Sequence, residues 1–179
     1  MSSDSSSWQR PWWLSFLDRT NLTVTALTAS AILLTRSAGV LYFGAGAVLC
    51  SFSVRFLKKA IRQPRPAGVR QTKKTYGMPS THSATIAYYT TFVPLACMYL
   101  PVHPSLPTGW VSRVLPPIVV MPWASLIASS RVWLGHHTWI QVAAGCAYGV
   151  VFACIWFSLR THGLNEHGRT VEELFNSYL

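Results

Sequence analysis

Charged residues are unevenly spread along this chain, and the gaps between them mark its elements. No Asp, Glu, Lys or Arg occurs within 20–35, 37–54, 75–112, 114–130 or 132–159. A helix that crosses a bilayer needs ~20 predominantly apolar residues, with about 17 as the lower bound. A backbone in lipid must also satisfy its hydrogen bonds within its own segment, which a helix does. The pattern predicts five spanning helices, at 20–36, 38–57, 82–100, 114–130 and 138–159. The first is short and rich in Thr, and the third ends in a turn at Pro101, Pro104 and Pro107.

Three parts follow. Residues 1–19 form an interfacial segment, 20–159 a membrane domain, and 160–179 a polar tail with a short surface helix. Met1 to Ser7 is Ser-rich and expected to be disordered. Trp8, Trp12 and Trp13 lie close to Arg10, a grouping suited to the headgroup layer. This start is acidic and Trp-rich rather than basic, so no signal peptide is expected. Alternating spans put the 55–81 segment and the 131–137 turn on one face of the membrane, because an even number of helices separates them.

Composition supports a lipid environment. Half of the residues are hydrophobic and only 11% are charged, against about 25% in a typical soluble domain. Fifteen Lys plus Arg against five Asp plus Glu give a formal charge of +10. Such a balance can mark a nucleic-acid binder, but none of the recognition motifs is present. The bases lie between apolar runs, so the expected partners are the membrane and an anionic lipid ligand, not nucleic acid. The acids are Asp4, Asp18, Glu166, Glu172 and Glu173, with none between 19 and 165. Paired-carboxylate catalysis is thereby excluded from the body of the chain. A magnesium site is disfavoured, since hard cations want carboxylate oxygens. No metal or other cofactor is expected. Cys50, Cys97, Cys146 and Cys154 lie in apolar runs without metal-type spacing and are expected as small buried hydrophobes.

Three polar segments can carry chemistry. The first runs from Arg55 to Lys74 and holds eight bases in 20 residues with no acid. Contact with anionic headgroups is one reading of it, and a phosphate site is the other. The second is Tyr76-Gly-Met-Pro-Ser80-Thr81-His82-Ser83, at the start of a predicted helix. Unpaired N–H groups and the positive end of the helix dipole suit a phosphate there. Ser80 or Thr81 can cap the helix, and His82 titrates near neutrality as a general acid must. The third contains Ser130, Arg131, His136, His137 and Gln141. The planar fork of Arg131 matches a phosphate bidentately, or it snorkels to the headgroups. His137 and Gln141 are four apart, so on a helix they share a face and Gln141 can orient the imidazole.

The pattern Lys58-x6-Arg65-Pro66, then Pro79-Ser80-x-His82, then Ser130-Arg131-x5-His137 resembles the type 2 phosphatidic acid phosphatase (PAP2) superfamily. Gaps of 12 and 47 residues between the blocks suit that family. The resemblance covers 55 to about 150. It implies an all-α integral-membrane bundle of five to six transmembrane helices, the sixth being either absent or in the Trp-rich N-terminus. It also implies roles. His137 is the nucleophile on phosphorus, and Lys58, Arg65 and Arg131 clamp the nonbridging oxygens. Ser80 and the Thr81 N–H add hydrogen bonds, and His82 is the acid for the leaving oxygen and then the base for water. No metal takes part.

Within the superfamily, His137-Thr-Trp-Ile-Gln141 looks most like the dolichyl-diphosphatases, which tend to carry Gln where most members carry Asp. That implies hydrolysis of a polyprenyl diphosphate to the monophosphate, in the endoplasmic reticulum membrane with a lumenal site. The alternatives are a sphingoid-base phosphate or phosphatidic acid phosphatase, or a non-catalytic lipid-binding protein. The positive-inside rule would place the basic face in the cytosol, but here the bases have a catalytic reason to exist. The sequon at Asn21 lies so close to the first span that it is expected to be unused.

Overall fold

The computed structural model describes residues 12–66, 75–107 and 109–164. Among them the regular elements are all helical: α1 (Trp12–Asp18), α2 (Thr20–Thr35), α3 (Ala38–Ile61), α4 (Thr81–Tyr99), α5 (Trp110–Trp133) and α6 (Trp139–Leu159), then a π-helical turn (Arg160–Leu164). The Ser-rich start, Arg70, Lys73, Lys74 and the tail beyond 164 lie outside the described residues. The five predicted spans correspond to α2 through α6. By length and apolar composition, three described helices suffice to cross a membrane, beginning at Ala38, Trp110 and Trp139, while Thr20–Thr35 is apolar but shorter. The chain is an all-α integral-membrane bundle.

Two helices run beyond their expected ends, for one reason. α3 continues to Ile61 through Lys58 and Lys59, whose charges suit the negative end of the helix dipole. It stops at Arg62, which takes a left-handed conformation (φ 53°) two residues before Pro64. α5 begins at Trp110, ahead of Arg113, whose guanidinium donates to the Cys97 carbonyl at 2.6 Å. Long basic side chains reach polar partners from inside a helix, so a charge marks where the side chain ends rather than where the helix does. Arg131 likewise belongs to the last turn of α5, not to the following turn.

α4 is the centre of the bundle, packing most extensively on α6 and α5 and also on α3. Its Ala84, Tyr88 and Phe92 are buried against Val54, Cys50 and Ala47 of α3 and Ala153 and Phe157 of α6. The buried Tyr88 hydroxyl donates to the Phe43 carbonyl at 2.9 Å. Tyr42 and Trp156 stack at 4.7 Å and exchange side-chain-to-backbone bonds of 2.8 and 3.2 Å, which join α3 to α6. Water does not drive helices together inside lipid, so close packing must. Gly145 and Gly149, a small-xxx-small pair, supply it. A Cβ on Gly145 would lie 2.5 Å from the Ser80 carbonyl oxygen, and one on Gly149 would strike the Ala84 carbonyl.

The opposite surfaces of the outer helices are apolar and exposed, including Leu33, Leu34, Ile118, Val119, Val151 and Ile155. This is the girdle that a bilayer covers. Cys50 is buried as expected. Cys154 is exposed, because its face of α6 points outward, and Cys97 and Cys146 are half-buried.

Candidate active site

The end of the bundle that gathers the α3 C-terminus, the α4 N-terminus, the α5 C-terminus and the α6 N-terminus also gathers the residues of all three sequence segments. Backbone and side-chain bonds tie those ends together. The Ser80 N–H donates to the Gln141 carbonyl at 3.0 Å, and the Gly77 N–H to the Gln63 carbonyl at 2.7 Å. Arg65 stitches three loops: Nε and Nη2 donate to the Thr75 carbonyl and hydroxyl at 3.0 and 2.8 Å, and Nη1 to the His136 carbonyl at 3.4 Å. Its second Nη1 and Nη2 hydrogens remain for an anion.

His137 sits at the centre of this end and is 5% exposed. Its N–H donates to the Arg131 carbonyl at 3.1 Å, and its Nδ1 lies 3.2 Å from Gln141 Oε1. Which way the Gln141 amide points follows from its backbone partners. Oε1 accepts from the Thr138 N–H at 3.3 Å, and Nε2 donates to the Pro64 carbonyl at 3.1 Å and to Gln63 Oε1 at 3.3 Å. A backbone N–H can only donate and a carbonyl can only accept, so Oε1 faces His137. Nδ1 therefore carries the proton, and the neutral ring keeps its lone pair on Nε2.

Gln141 does a second job at the same time. Thr138 Oγ1 accepts from the Gln141 N–H at 3.3 Å, which completes a capping box at the start of α6. Its sequence signature is Thr138-x-x-Gln141. Gly77 makes room for the amide, since a Cβ there would lie 2.6 Å from Gln141 Nε2 and 2.8 Å from the Pro64 oxygen.

The His137 imidazole resists protonation. Burial is the main cause, and the charges of Lys58 and Arg65 add to it, against hydrogen bonds with Gln141 and the Gly77 backbone that favour the charged ring; its pKa falls from 6.5 to about 4. Burial also pulls the Arg65 guanidinium below its usual value. Lys58 is 8% exposed, and no carboxylate pairs with it among the described residues. His82 lies in the first turn of α4, within electrostatic reach of Arg131, His137 and Lys58.

Ser80 caps α4. Its fully buried hydroxyl accepts from the Ser83 N–H at 3.4 Å and the Ser83 hydroxyl at 2.9 Å, so only its own O–H is left to donate onward. Thr81, the first residue of α4, is half-buried beside it.

Arg131 brings in Asp18, a residue outside the three polar segments. Its guanidinium is 2% exposed and points at α1. Nη1 lies 3.4 Å from Asp18 Oδ1, Nη2 donates to the Leu17 carbonyl, and Nε and Nη2 reach Ser130 Oγ at 3.2 and 3.0 Å. His136 Nε2 lies 3.1 Å from the same Asp18 oxygen. Asp18 is the one acid among the described residues. Nothing local in the sequence signals a contact across 113 positions.

One end of a membrane helix bundle thus holds three histidines, His82, His136 and His137, and three cations, Lys58, Arg65 and Arg131. The PAP2 superfamily model matches residues 39–163, and the chain belongs to that family. It is 30% identical over 122 residues to lipid phosphate phosphatase gamma of Arabidopsis thaliana, covering 65% of this chain and 51% of that protein. It is 29% identical over 150 residues to dolichyldiphosphatase 1 of Rhinolophus ferrumequinum, covering 81% of this chain and 63% of that protein. The chain thus spans less than two thirds of either relative. A transmembrane PAP2-type phosphatidylglycerolphosphate phosphatase from Bacillus subtilis has a similar fold, with a TM-score of 0.64 at 19% identity, covering 86% of this chain and 79% of that one.

Proposed function

We propose that the protein is a lipid phosphatase that hydrolyses a polyprenyl diphosphate, dolichyl diphosphate in the first instance, to the monophosphate and inorganic phosphate. The observation that carries this reading is the orientation of His137. Its Nδ1 faces the Gln141 carbonyl oxygen at 3.2 Å, which leaves the Nε2 lone pair free for attack, while Lys58 and Arg65 bias the ring toward its neutral form.

Nε2 of His137 attacks the terminal phosphorus. The P–O bond to the lipid phosphate breaks, and its electron pair leaves on that oxygen, which His82 protonates. The dianion bound between the two rings favours the imidazolium form that His82 needs for this step. Water then attacks phospho-His137, His82 takes its proton, and the P–N bond breaks to return neutral His137 and phosphate. Lys58, Arg65 and the remaining donor of Arg131 hold the nonbridging oxygens, with the Ser80 hydroxyl and the Thr81 N–H beside them. Phosphoryl transfer needs mostly positioning and charge stabilisation, and three cations supply the charge without a metal ion.

The family resemblance of the His137 to Gln141 stretch and a dolichyldiphosphatase relative support the diphosphate. From the family resemblance alone we extend the proposal to the endoplasmic reticulum membrane, with the site facing the lumen. The Arabidopsis relative's name favours a lipid monophosphate as the second reading. Phosphate release from purified protein, measured with dolichyl diphosphate, phosphatidic acid and a sphingoid-base phosphate, tests both. The expected result is fastest release from the diphosphate. Faster release from either monoester would reverse the assignment, and no release from any lipid would leave a binding protein.

A further inference from the structure

We propose that Asp18 is an internal competitor for the phosphate site, one that sets how strong an anion must be to enter it. The inference rests on the phosphate-binding reading of the site. A guanidinium has five N–H donors. In Arg131 the Nε donor and both Nη2 donors go to Ser130 and Leu17, and one Nη1 donor goes to Asp18. One donor is left. An incoming phosphate therefore meets an arginine with a single free donor, and it gains a second only by displacing a carboxylate.

Asp18 is placed to be displaced. Its side chain is 40% exposed while Arg131 is 2% exposed, so the acid and not the base faces solvent. It is carried on α1, a seven-residue helix held to α5 by two edge-to-face aromatic contacts, Trp13 on Trp133 and Phe16 on Trp123. His136 Nε2 holds the same carboxylate oxygen at 3.1 Å and gives it a second partner.

The consequence is selectivity. A site with Lys58, Arg65 and Arg131 at a bilayer edge is surrounded by phosphodiester headgroups, whose phosphates each carry a single negative charge and are at high local concentration. A monoanionic diester gains little by exchanging places with another monoanion already in the site. A terminal phosphoryl dianion brings twice the charge and three nonbridging oxygens, and it displaces Asp18. Asp18 thus keeps bulk lipid out of the site while admitting a phosphate at the end of a chain.

The test uses the full chain in phosphatidylcholine vesicles with increasing phosphatidylglycerol as the diester probe, and inorganic phosphate as the dianion. Inhibition of lipid hydrolysis by each is compared in wild type, Asp18→Asn and Asp18→Glu. Loss of the charge should lower the inhibitory phosphatidylglycerol fraction and the phosphate inhibition constant by about tenfold, the scale of one unit charge at close range. Asp18→Glu should behave as wild type. Unchanged or weaker inhibition in Asp18→Asn overturns the inference. If that variant does not fold, Phe16→Ala loosens α1 and should shift both constants in the same direction; no shift there overturns it too. Thermal stabilisation by phosphate is measured in parallel. If wild type hydrolyses no lipid yet Asp18→Asn strengthens that stabilisation, the proposed reaction fails and the competitor role stands.

Discussion

Gln141 holds His137 by the carbonyl end of its amide, 3.2 Å from Nδ1, while the amino end is anchored to Pro64 and Gln63. That pair of anchors explains why an amide and not a carboxylate stands here. A Glu at 141 would turn an oxygen toward the Pro64 carbonyl and lose two hydrogen bonds, and an Asp would also be one methylene too short. Gln141→Glu and Gln141→Asp are therefore expected to lower kcat by about 10–100-fold through a misplaced imidazole, the scale seen when an orienting partner of a ligand histidine is lost. Steady-state kinetics on both variants checks this, and wild-type kcat in Gln141→Asp would show that the anchors do not matter. The same variants measure whether the choice between diphosphate and monophosphate follows residue 141.

His137 and His136 are neighbours, but only His137 has a ring nitrogen committed by Gln141. His136 instead faces Asp18. His137→Ala should abolish turnover and phosphoenzyme formation together. His136→Ala should retain a trapped phosphoenzyme at reduced yield. Acid-labile label on protein incubated with a radiolabelled terminal phosphate separates the two residues, and label persisting in His137→Ala would move the nucleophile elsewhere.

The depressed pKa of His137 fixes an acid limb. In the proposed mechanism the neutral ring attacks, so activity is lost as pH falls through its pKa. With that value held at about 4, kcat/KM should show no loss attributable to this ring between pH 7 and pH 5. Lys58 and Arg65 disfavour the charged ring, so removing either charge raises the pKa and moves the limb to higher pH. Arg65→Gln is expected to weaken kcat/KM and to shift its acid limb upward. A limb that stays in place would show that burial alone holds the ring neutral.

The chain's charge gaps displayed α2 through α6, since a lipid-facing surface tolerates few charges and the predicted spans needed little else. The helix ends were less legible. Lys58, Arg113 and Arg131 sit inside helices, Lys58 and Arg131 buried within the bundle and Arg113 bonded to the Cys97 carbonyl, so the pattern of charge misplaced the ends of α3 and α5. Eight candidate site residues, Lys58, Arg65, Ser80, Thr81, His82, Arg131, His137 and Gln141, were legible because they fall in three short blocks, each dense in polar or charged side chains. Asp18 was not, because a single acid in a polar, Trp-rich segment says nothing about an arginine in α5. Gly145 and Gly149 were legible in retrospect as a spaced pair of small residues in an apolar run.

That pair gives a prediction about stability that is separable from chemistry. The α4–α6 contact carries both the bundle centre and the Ser80 N–H bond to Gln141. A side chain on Gly145 would drive its Cβ to 2.5 Å from the Ser80 carbonyl oxygen, a backbone atom that cannot rotate away. α6 must then separate from α4 next to the residue that orients His137. Gly145→Val should cost about 1–3 kcal/mol, the range for overpacking a close contact, and lower the melting temperature of the protein in detergent. It should also lower kcat more than it raises KM, because the cations on α3 and in the 62–66 loop stay in place while the imidazole shifts. Ala143→Val, on an exposed position of the same helix, serves as the control and should leave both measurements unchanged. A Gly145→Val protein with wild-type melting and kcat would show that α4 and α6 do not need this close approach to build the site.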